Sequence, residues 1–270
     1  MKLRIGLLQM HVELGKPDVN YAHALELMEK AMKHEPDILV LPETWNVGFF
    51  PAEHLDELAD KNGERTQEML STFAKNNNVN IVGGTVAAKI GNDILNRSYV
   101  FNREGKIAET FDKIHGFSLS GEPGYFRMGD HLAHFNLDGV ACSMAVCYDI
   151  RFPEFARTMV LDGARMIFVP AAFNMTTGPA HWELTFRARA LDNQIYMLGC
   201  APARDTQAGY ISWGHSIVTD PWGRVIDMLD EKEVVLLTEL DLDYEEQVRE
   251  ELPLLKSRRK DMYRLEKLCK

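Results

Sequence analysis

Residues 141–154 read ACSMAVCYDIRFPE, the pattern of a strand that ends at a helix. The run Val140–Val146 is small and apolar throughout, which is typical of a strand buried on both faces of a layered α/β protein. Pro153 and Glu154 then open a helical pattern, because proline suits the first turn of a helix. Cys147 is therefore predicted to lie on an elbow at the carboxyl end of the strand, where open α/β sheets carry reactive groups.

Cys147 itself has two interpretations. A neighbouring helix start can stabilise a thiolate, which would make this residue a nucleophile. A lone cysteine is otherwise a small buried hydrophobic residue, although the polar Tyr-Asp-x-Arg sequence that begins directly after it argues against that interpretation. The cysteines show no paired spacing and two of them fall in predicted buried strands, which favours a reducing cytoplasm. They are Cys142, Cys147, Cys200 and Cys269.

The composition limits the classes of function. With 270 residues, 46% of them hydrophobic, the chain can bury a substantial core. A formal net charge of -10 argues against a general nucleic-acid or membrane-surface binder. No apolar segment reaches the length of a membrane span, and the N-terminal MKLRIGLLQM lacks a small-residue cleavage site, so it is predicted to be a first strand and not a signal peptide. No linker, repeat or low-complexity segment interrupts the sequence, which favours a single domain.

Along the rest of the chain, hydrophobic periodicity predicts alternating helices and strands. Strands are predicted over Leu3–Gln9, Ile38–Leu41, Val79–Gly84, Ile94–Asn102, Lys106–Phe111, Met166–Pro170, Ile195–Cys200, Trp213–Thr219, Val225–Leu229 and Val234–Leu240. Helices are predicted after the candidate N-cap Asp18 (with Leu25 in the buried stripe), around Leu70, over Phe155–Leu161, from His181 to about Asn193, and in the charged tail, where an extended arm follows. Helix–strand pairs come first, hairpins follow, and the order repeats. This repetition suggests two halves packed sheet against sheet, giving a four-layer α-β-β-α sandwich.

Three chemically useful residues stand directly after predicted strands. Glu43 follows the strand Ile38–Leu41, and Lys113 follows the strand that ends at Phe111. Cys147 follows the central strand. A carboxylate, an amine and a thiol can act as base, oxyanion-stabilising cation and nucleophile. Each residue alone is weak evidence, because a Glu or Lys after a strand is usually a solvated loop residue.

The motifs around these residues carry a family resemblance. LPETW at 41–45, DKIH at 112–115 and CYDIRFPE at 147–154 resemble, in this order, the Glu-Lys-Cys motifs of the nitrilase superfamily of carbon–nitrogen hydrolases. The resemblance runs from Leu3 to about Arg259. Further segments are similar to the omega-amidase branch, namely AAFNMTTGPAHWELTFRARALDNQIY at 171–196, PARD at 202–205, WGHS at 213–216 and PWG at 221–223.

The resemblance implies both a fold and an activity. The fold is the nitrilase-like sandwich as a single domain over residues 1–270, with a C-terminal arm from about residue 241. The activity is hydrolysis of a small carboxylate-bearing amide to carboxylate and ammonia through a Cys147 thioester, with 2-oxoglutaramate or 2-oxosuccinamate as substrate. Deaminated-glutathione amidase, N-carbamoyl amide hydrolase and aliphatic amidase or nitrilase stay open as alternatives. The resemblance also implies a homodimer. No cofactor or metal is expected, because nucleophile, base and oxyanion donor all come from the chain.

Carried over residue by residue, the resemblance assigns catalytic roles. Glu43 is the general base and Cys147 is the nucleophile. Lys113 and the backbone N–H of Tyr148 stabilise the oxyanion. Glu122 matches by position a second glutamate that orients the lysine and the substrate.

Substrate contacts are expected on the loop that follows a core strand. The candidates there are Phe173, Met175, Thr176 and Thr177. The threonine hydroxyls can bind keto or carboxylate oxygens, but the two threonines also fit a turn that leads into a helix. Neighbouring polar residues are predicted to be structural, with His181 at a helix start, Arg187 and Arg189 in ion pairs, and Arg151 paired with Glu154 across the elbow or placed at a subunit interface.

Two segments depart from the family pattern. Gly116 stands where the family usually has a bulky apolar residue, and the loop over residues 114–130 is short. The segment LPETWNVGFF also differs from the omega-amidase sequence after its first glutamate. These segments border the substrate mouth in the family, so the chemistry is better defined than the identity of the substrate.

Other classes of function find less support. The sequence has no G-x-S-x-G elbow of a serine hydrolase, no P-loop and no G-x-G-x-x-G. His131 and His134 are spaced H-x-x-H, but they have no helical context or third ligand for a metal. A catalytically silent binding module that keeps the fold is the remaining alternative. The presence of all three residues of the Glu-Lys-Cys set argues against it.

Overall fold

The computed structural model describes residues 1–49 and 54–268, so Phe50 of the LPETWNVGFF segment and Cys269 lie outside the described residues. The strands are β1 (Lys2–Gln9), β2 (Ile38–Val40), β3 (Asp60–Lys61), β4 (Asn80–Val82), β5 (Val86–Ile90), β6 (Asp93–Phe101), β7 (Ile107–Asp112), β8 (Phe135–Leu137), β9 (Val140–Met144), β10 (Met166–Pro170), β11 (Tyr196–Cys200), β12 (Ile217–Thr219), β13 (Val225–Met228) and β14 (Val234–Asp241). The helices are α1 (Pro17–Met32), α2 (Leu55–Leu58), α3 (Glu64–Asn77), α4 (Pro153–Leu161), α5 (Gly178–Asn193) and α6 (Asp243–Glu251). Short 3₁₀ turns cover Ser118–Ser120, Glu122–Gly124 and Cys147–Arg151.

Among the described residues, the strands form two sheets. The order in the first sheet is β14-β1-β2-β4-β6-β5-β3, with β7 paired to β6, and the order in the second is β13-β12-β11-β10-β9-β8. β1, β2 and β4 are parallel, as are β9, β10 and β11, so each group has its carboxyl ends at one edge of its sheet. β14 follows β13 of the second sheet in the chain but belongs to the first sheet, where it pairs antiparallel with β1, from Lys2 opposite Asp241 to Gln9 opposite Val234.

Alternate residues of the central strands face different layers, which explains their unbroken apolar sequence. Ile38 of β2 belongs to the core between the two sheets, together with Phe168 of β10. Leu39, the next residue of β2, packs with Phe73 of α3 on the outer face of the first sheet. Trp182 of α5 packs on the outer face of the second sheet. The molecule is therefore an α-β-β-α sandwich, and the predicted fold class is confirmed.

The start and the buried face of α1 differ from the prediction. Pro17 is the first residue of this helix, so Asp18 lies inside the first turn and is not the N-cap. Its carboxylate pairs instead with Arg65, at 2.5 Å. Leu25 is 36% exposed, and Leu27 occupies the buried position that was predicted for Leu25. The mistake about Leu25 arose because leucines at both positions fit a helical stripe whose edge only the packing against the sheet defines.

The second half also contains departures from the prediction. α5 begins at Gly178, three residues before His181. A Cβ atom at Gly178 would lie 2.4 Å from the Trp213 side chain, so only a glycine lets the helix start this close to that ring. Trp213 itself lies outside β12, which begins at Ile217. β5 and β8 were not predicted, because they are short and lack a clear alternation of apolar and polar residues.

The charged tail forms the predicted helix, α6, and the chain then continues through turns and irregular structure to Leu268. Lys267 Nζ lies 2.7 Å from Asp162 Oδ2 and fastens this arm to the end of α4. Within residues 1–49 and 54–268, no helix combines the length and the apolar character that crossing a membrane requires.

Candidate active site

The predicted Glu, Lys and Cys residues meet where the two sheets face each other. Glu43 follows β2 and Lys113 follows β7, both in the first sheet, whereas Cys147 follows β9 in the second. The backbone N–H of Lys113 donates to the carbonyl oxygen of Asn96 on β6, at 3.0 Å, which fixes the end of β7. Each sheet therefore supplies part of one site.

The elbow at Cys147 is held in an unusual backbone conformation. Cys147 has a φ of +47°, in the left-handed region that residues with a side chain adopt only rarely. Asp149 Oδ2 accepts the Val146 N–H at 2.8 Å, and Asp149 Oδ1 accepts the His115 N–H at 2.9 Å. These bonds brace the elbow and join it to the segment that follows Lys113. The predicted strand-to-helix elbow is confirmed.

Lys113 binds two carboxylates at once. Its Nζ lies 2.9 Å from Glu43 Oε1, 2.8 Å from Glu122 Oε1 and 2.7 Å from Glu122 Oε2. The residues Glu43, Lys113 and Glu122 are each at most 2% exposed, and Cys147 is 7% exposed. Because water is excluded, these charges interact far more strongly than they would at the surface.

The two carboxylates have different surroundings. Glu122 accepts a further bond from the Phe117 N–H, at 2.7 Å, so both of its oxygens are engaged by donors of its own loop and by Lys113. Glu43 Oε2 accepts the N–H of Ala172, at 3.0 Å. The carbonyl oxygen of Ala172 in turn accepts the hydroxyl of Tyr210. Glu43 thus spans the space between Lys113 and the loop after β10.

Gly116 explains how a short loop can deliver Glu122 to the site. A Cβ atom at this position would lie 2.9 Å from Pro123 Cγ and 2.9 Å from Met128 Sδ. The ring of Pro123 cannot move away cheaply, because it follows Glu122 directly in a 3₁₀ turn. The missing side chain therefore allows the Glu122 turn to pack against the segment after Lys113.

Burial and neighbouring charges set the protonation of the site. Burial raises the pKa of Glu43, Lys113 lowers it and Glu122 raises it, with an upward shift as the result. Burial lowers the pKa of Lys113, but Glu43, Cys147 and Glu122 together raise it by more than burial lowers it. The ammonium therefore stays charged. Burial, followed by the charge of Glu43, raises the pKa of the Cys147 thiol well above its ordinary value. This shift favours the thiol over the thiolate at Cys147, so a base is needed to take the thiol proton, as predicted for Glu43.

Of the predicted substrate contacts, the structure brings Phe173 to the elbow. Its ring is buried and lies 4.6 Å from the Arg151 guanidinium. Met175 and Thr176 are exposed, and the hydroxyl of Thr177 contacts Asn174 Oδ1, at 3.1 Å. The backbone N–H groups of both threonines also donate to Asn174 Oδ1. These hydrogen bonds form the turn that leads into α5. Contact of these loop residues with a substrate stays a prediction.

Arg151 does not pair with Glu154 across the elbow, which was one of the two roles predicted for it; a place at a subunit interface stays a prediction. Its Nη1 lies 3.1 Å from His181 Nδ1, and its guanidinium covers the ring of Phe173. The ion pairs predicted for the other two arginines are confirmed. Arg187 pairs with Glu183 at 3.0 Å, and Arg189 pairs with Asp192 at 2.9 Å.

Other features of the surface do not compete with this site. In the described part of the chain, no group of three or more His, Cys, Asp or Glu residues is arranged to hold a metal ion. His131 Nε2 lies 3.0 Å from the Thr110 carbonyl, and His134 Nδ1 lies 3.1 Å from Ser143 Oγ. Grooves of about 630 and 730 Å³ run along α1, but none of the Glu-Lys-Cys residues lines them. Chemistry, and not cavity size, identifies the site.

Several residues of the site gave no signal in the sequence. Asn96, Ala172 and Tyr210 contact the site through sheet pairing and loop packing, which one sequence does not reveal. His115 and Asp149 were quoted inside the DKIH and CYDIRFPE motifs without a role. Their hydrogen bonds now supply one, since they join those two motifs.

Comparison with known proteins agrees with the motifs. The carbon-nitrogen hydrolase family model matches residues 4–250. The chain is 38% identical to omega-amidase NIT2 of Danio rerio over 274 residues, covering 97% of this chain and 96% of the relative. It is also 38% identical to 2-oxoglutaramate amidase of Bacillus subtilis (strain 168) over 263 residues, covering 97% of this chain and all of the relative. The crystal structure of Saccharomyces cerevisiae Nit3, a member of branch 10 of the nitrilase superfamily, superimposes with a TM-score of 0.90 at 33% identity, covering 96% of this chain and 97% of that one.

Proposed function

This chain belongs to the carbon–nitrogen hydrolase family, and from that premise we propose that it is an omega-amidase that acts on 2-oxoglutaramate or 2-oxosuccinamate. The observation that carries the proposal is the buried contact of one ammonium with two carboxylates beside the Cys147 elbow. Such an arrangement supplies a base, a fixed positive charge and a nucleophile without a bound cofactor. The names of the relatives supply the class of amide.

The reaction starts with transfer of the Cys147 thiol proton to Glu43. The sulfur attacks the amide carbonyl carbon, and the Lys113 ammonium and the Tyr148 N–H stabilise the oxyanion that forms. The amide groups in the first turn of a helical segment have no partner within that turn, so the Tyr148 N–H is available for this role. Glu43 then protonates the leaving nitrogen as the C–N bond breaks, and ammonia departs. Water activated by Glu43 hydrolyses the thioester and restores the thiol.

The roles of the two glutamates differ because their contacts differ. Glu122 binds Lys113 with both oxygens, so we assign it as the permanent counter-charge that keeps the lysine in place. Glu43 binds Lys113 with one oxygen, and its other oxygen faces the Ala172 N–H, which also lies beside the Cys147 sulfur. With its pKa raised by burial, Glu43 is the carboxylate suited to accept and return a proton.

Arg151 is our candidate for binding the substrate carboxylate. Among the described residues, it forms no ion pair with a carboxylate, and its guanidinium lies between the Phe173 ring and His181. Burial raises the pKa of the Tyr210 hydroxyl, the nearby Cys147 raises it further and Arg151 lowers it. The charges of Arg151 and Cys147 therefore both act on the Tyr210 hydroxyl, which places the Arg151 guanidinium near the nucleophile. A cation there suits a substrate that carries a carboxylate.

Arg151→Met is expected to raise KM for 2-oxoglutaramate by about 10- to 100-fold, because a charge-assisted hydrogen bond is lost. Turnover of an uncharged amide such as propionamide should not fall. The measurement is KM and kcat for both amides. Arg187→Met is the matched control, since Arg187 pairs with Glu183 on α5 and should leave both amides unaffected. An equal loss for both amides in Arg151→Met would contradict the assignment.

Ammonia release from 2-oxoglutaramate tests the function itself. It is run beside glutamine, asparagine and propionamide. We expect rapid turnover of 2-oxoglutaramate and little of the others. Turnover of a carbamoyl amino acid or a nitrile in its place would keep the amidase chemistry and reject the omega-amidase proposal.

We further propose a cytoplasmic homodimer in which residues 1–270 form one catalytic domain with a C-terminal arm. Leu184 is 65% exposed and Leu191 is 42% exposed on α5, and Leu252 after α6 is 39% exposed, which supports a partner on this side. The described cysteines are free thiols, which supports a reducing compartment. Light scattering at micromolar concentration tests the assembly, and a monomer there would contradict it.

A further inference from the structure

Asn96 lies at the centre of the buried charges but has no part in the reaction described above. It is 1% exposed and stands in the middle of β6. Its Nδ2 donates to Glu43 Oε1 at 3.0 Å and to Glu122 Oε1 at 3.2 Å. Its backbone carbonyl accepts the Lys113 N–H at 3.0 Å. One residue therefore contacts the base, the counter-charge and the lysine.

The orientation of the Asn96 amide is fixed by its neighbours. If the amide were reversed, Oδ1 would face two carboxylate oxygens, and acceptors would oppose acceptors. In the orientation observed, Nδ2 serves both carboxylates, and Oδ1 finds no hydrogen-bond partner among the described residues. All the side-chain hydrogen bonds of Asn96 among the described residues are therefore made to the two carboxylates.

Two other buried asparagines show the contrast. Asn46 donates to the Ala87 carbonyl at 3.1 Å and accepts the Ala87 N–H at 2.9 Å, so both ends of its amide are satisfied. Asn80 donates to the Asp37 carbonyl at 3.0 Å and to Asp138 Oδ2 at 2.8 Å, at the amino end of β4 away from the site. These two side chains fasten backbone and loops. Asn96 instead donates its side-chain N–H groups to the two carboxylates of the site.

We propose that Asn96 is a positioning residue that holds Glu43 in its ionised form and in reach of Lys113, so that the carboxylate is free to take the thiol proton. This inference rests on the proposed function of Glu43 as the base. An amide N–H stabilises a carboxylate and not the neutral acid, so it opposes the protonation of Glu43. The charged and titratable groups that face Glu43 are Lys113, Glu122, Cys147 and Tyr210.

The direction of the effect follows from these contacts. Burial and the charge of Glu122 raise the pKa of Glu43, and Lys113 opposes them. Removal of the Asn96 donor takes away a further opposing contact, so Glu43 holds its proton to a higher pH. Because the base must be ionised before it can accept the thiol proton, the acid limb of the pH profile should move to higher pH.

The test compares Asn96→Leu with the wild type and with Asn80→Leu, a buried asparagine far from the site. The rate of Cys147 alkylation by iodoacetamide is measured across the pH range, together with kcat/KM. We expect the midpoint of the acid limb in Asn96→Leu to rise by about one pH unit, the scale of one hydrogen bond to a charged group. Asn80→Leu should lose thermal stability and keep the wild-type midpoint. If Asn96→Leu does not fold, Asn96→Ala is measured in the same way.

A folded Asn96 variant whose alkylation profile superimposes on that of the wild type would overturn the proposal. An equal displacement of the midpoint in Asn80→Leu would also overturn it, because the effect would then be a general loss of packing. Alkylation requires no amide substrate. If the wild-type protein did not hydrolyse 2-oxoglutaramate, the proposed omega-amidase function would be wrong. The role of Asn96 would still be tested by the alkylation measurement.

Discussion

Cys147→Ala is expected to abolish ammonia release from the amide substrate while the protein stays folded. The change removes the sulfur atom that forms the thioester in the proposed mechanism, and the methyl group of alanine cannot take its place. The loss of one buried sulfur should lower the free energy of unfolding by no more than ~1–2 kcal/mol. The measurements are ammonia release under saturating substrate and thermal unfolding followed by circular dichroism.

Cys200→Ala is the matched control for this experiment. Cys200 is also a buried thiol, at the end of β11 in the same sheet, and its sulfur contacts the Val40 carbonyl at 3.3 Å. It has no contact with Glu43 or Lys113, so its replacement should preserve turnover. Ammonia release by Cys147→Ala at a rate near that of the wild type would reject the thioester mechanism.

Lys113→Met is expected to lower kcat/KM by about 10²–10³, which is the scale of losing one oxyanion donor. It should also lower the free energy of unfolding by ~3–5 kcal/mol, because Glu43 and Glu122 would be left as buried carboxylates without a cation. Activity and stability therefore fall together, unlike the result expected for Cys147→Ala. Steady-state kinetics and chemical denaturation measure the two effects.

The double variant Lys113→Met/Glu122→Gln separates these two effects. Removal of the Glu122 charge takes away one uncompensated carboxylate, so part of the lost stability should return. The rate should not return, because the oxyanion still lacks its ammonium. Recovery of kcat/KM in the double variant would show that Lys113 acts only through the fold, and the assignment of an oxyanion role would then fail.

The parts of the fold that follow from local pattern were predictable. Runs such as Val140–Val146 are apolar because both faces of the strand are buried, and the residue that ends such a run lies at a sheet edge. For this reason Glu43, Lys113 and Cys147 could be selected before their proximity was known. The edge of the α1 stripe at Leu25 and the start of α5 at Gly178 could not be predicted, because each depends on packing against a distant element.

The contacts that surround the site could not be predicted from the sequence either. The amide of Asn96 reaches Glu43 because β6 lies beside β4 and β7, an order that the chain itself does not display. Likewise, the Ala172 N–H reaches Glu43 only because the second sheet covers the first. The upward shift in the pKa of the Cys147 thiol likewise comes from burial and from the charge of Glu43, neither of which the local sequence around Cys147 reveals.

The pairing of β1 with β14 has a consequence for how the protein is made. The side chains of Lys2 and Glu239 form an ion pair across these two strands, although the residues are 237 positions apart in the sequence. While the chain emerges from the ribosome, β1 therefore keeps one side unpaired until the whole of the second sheet has been translated. An open strand edge of this kind can recruit strands of other chains. β1 is thus among the last of the described strands to gain both of its neighbours.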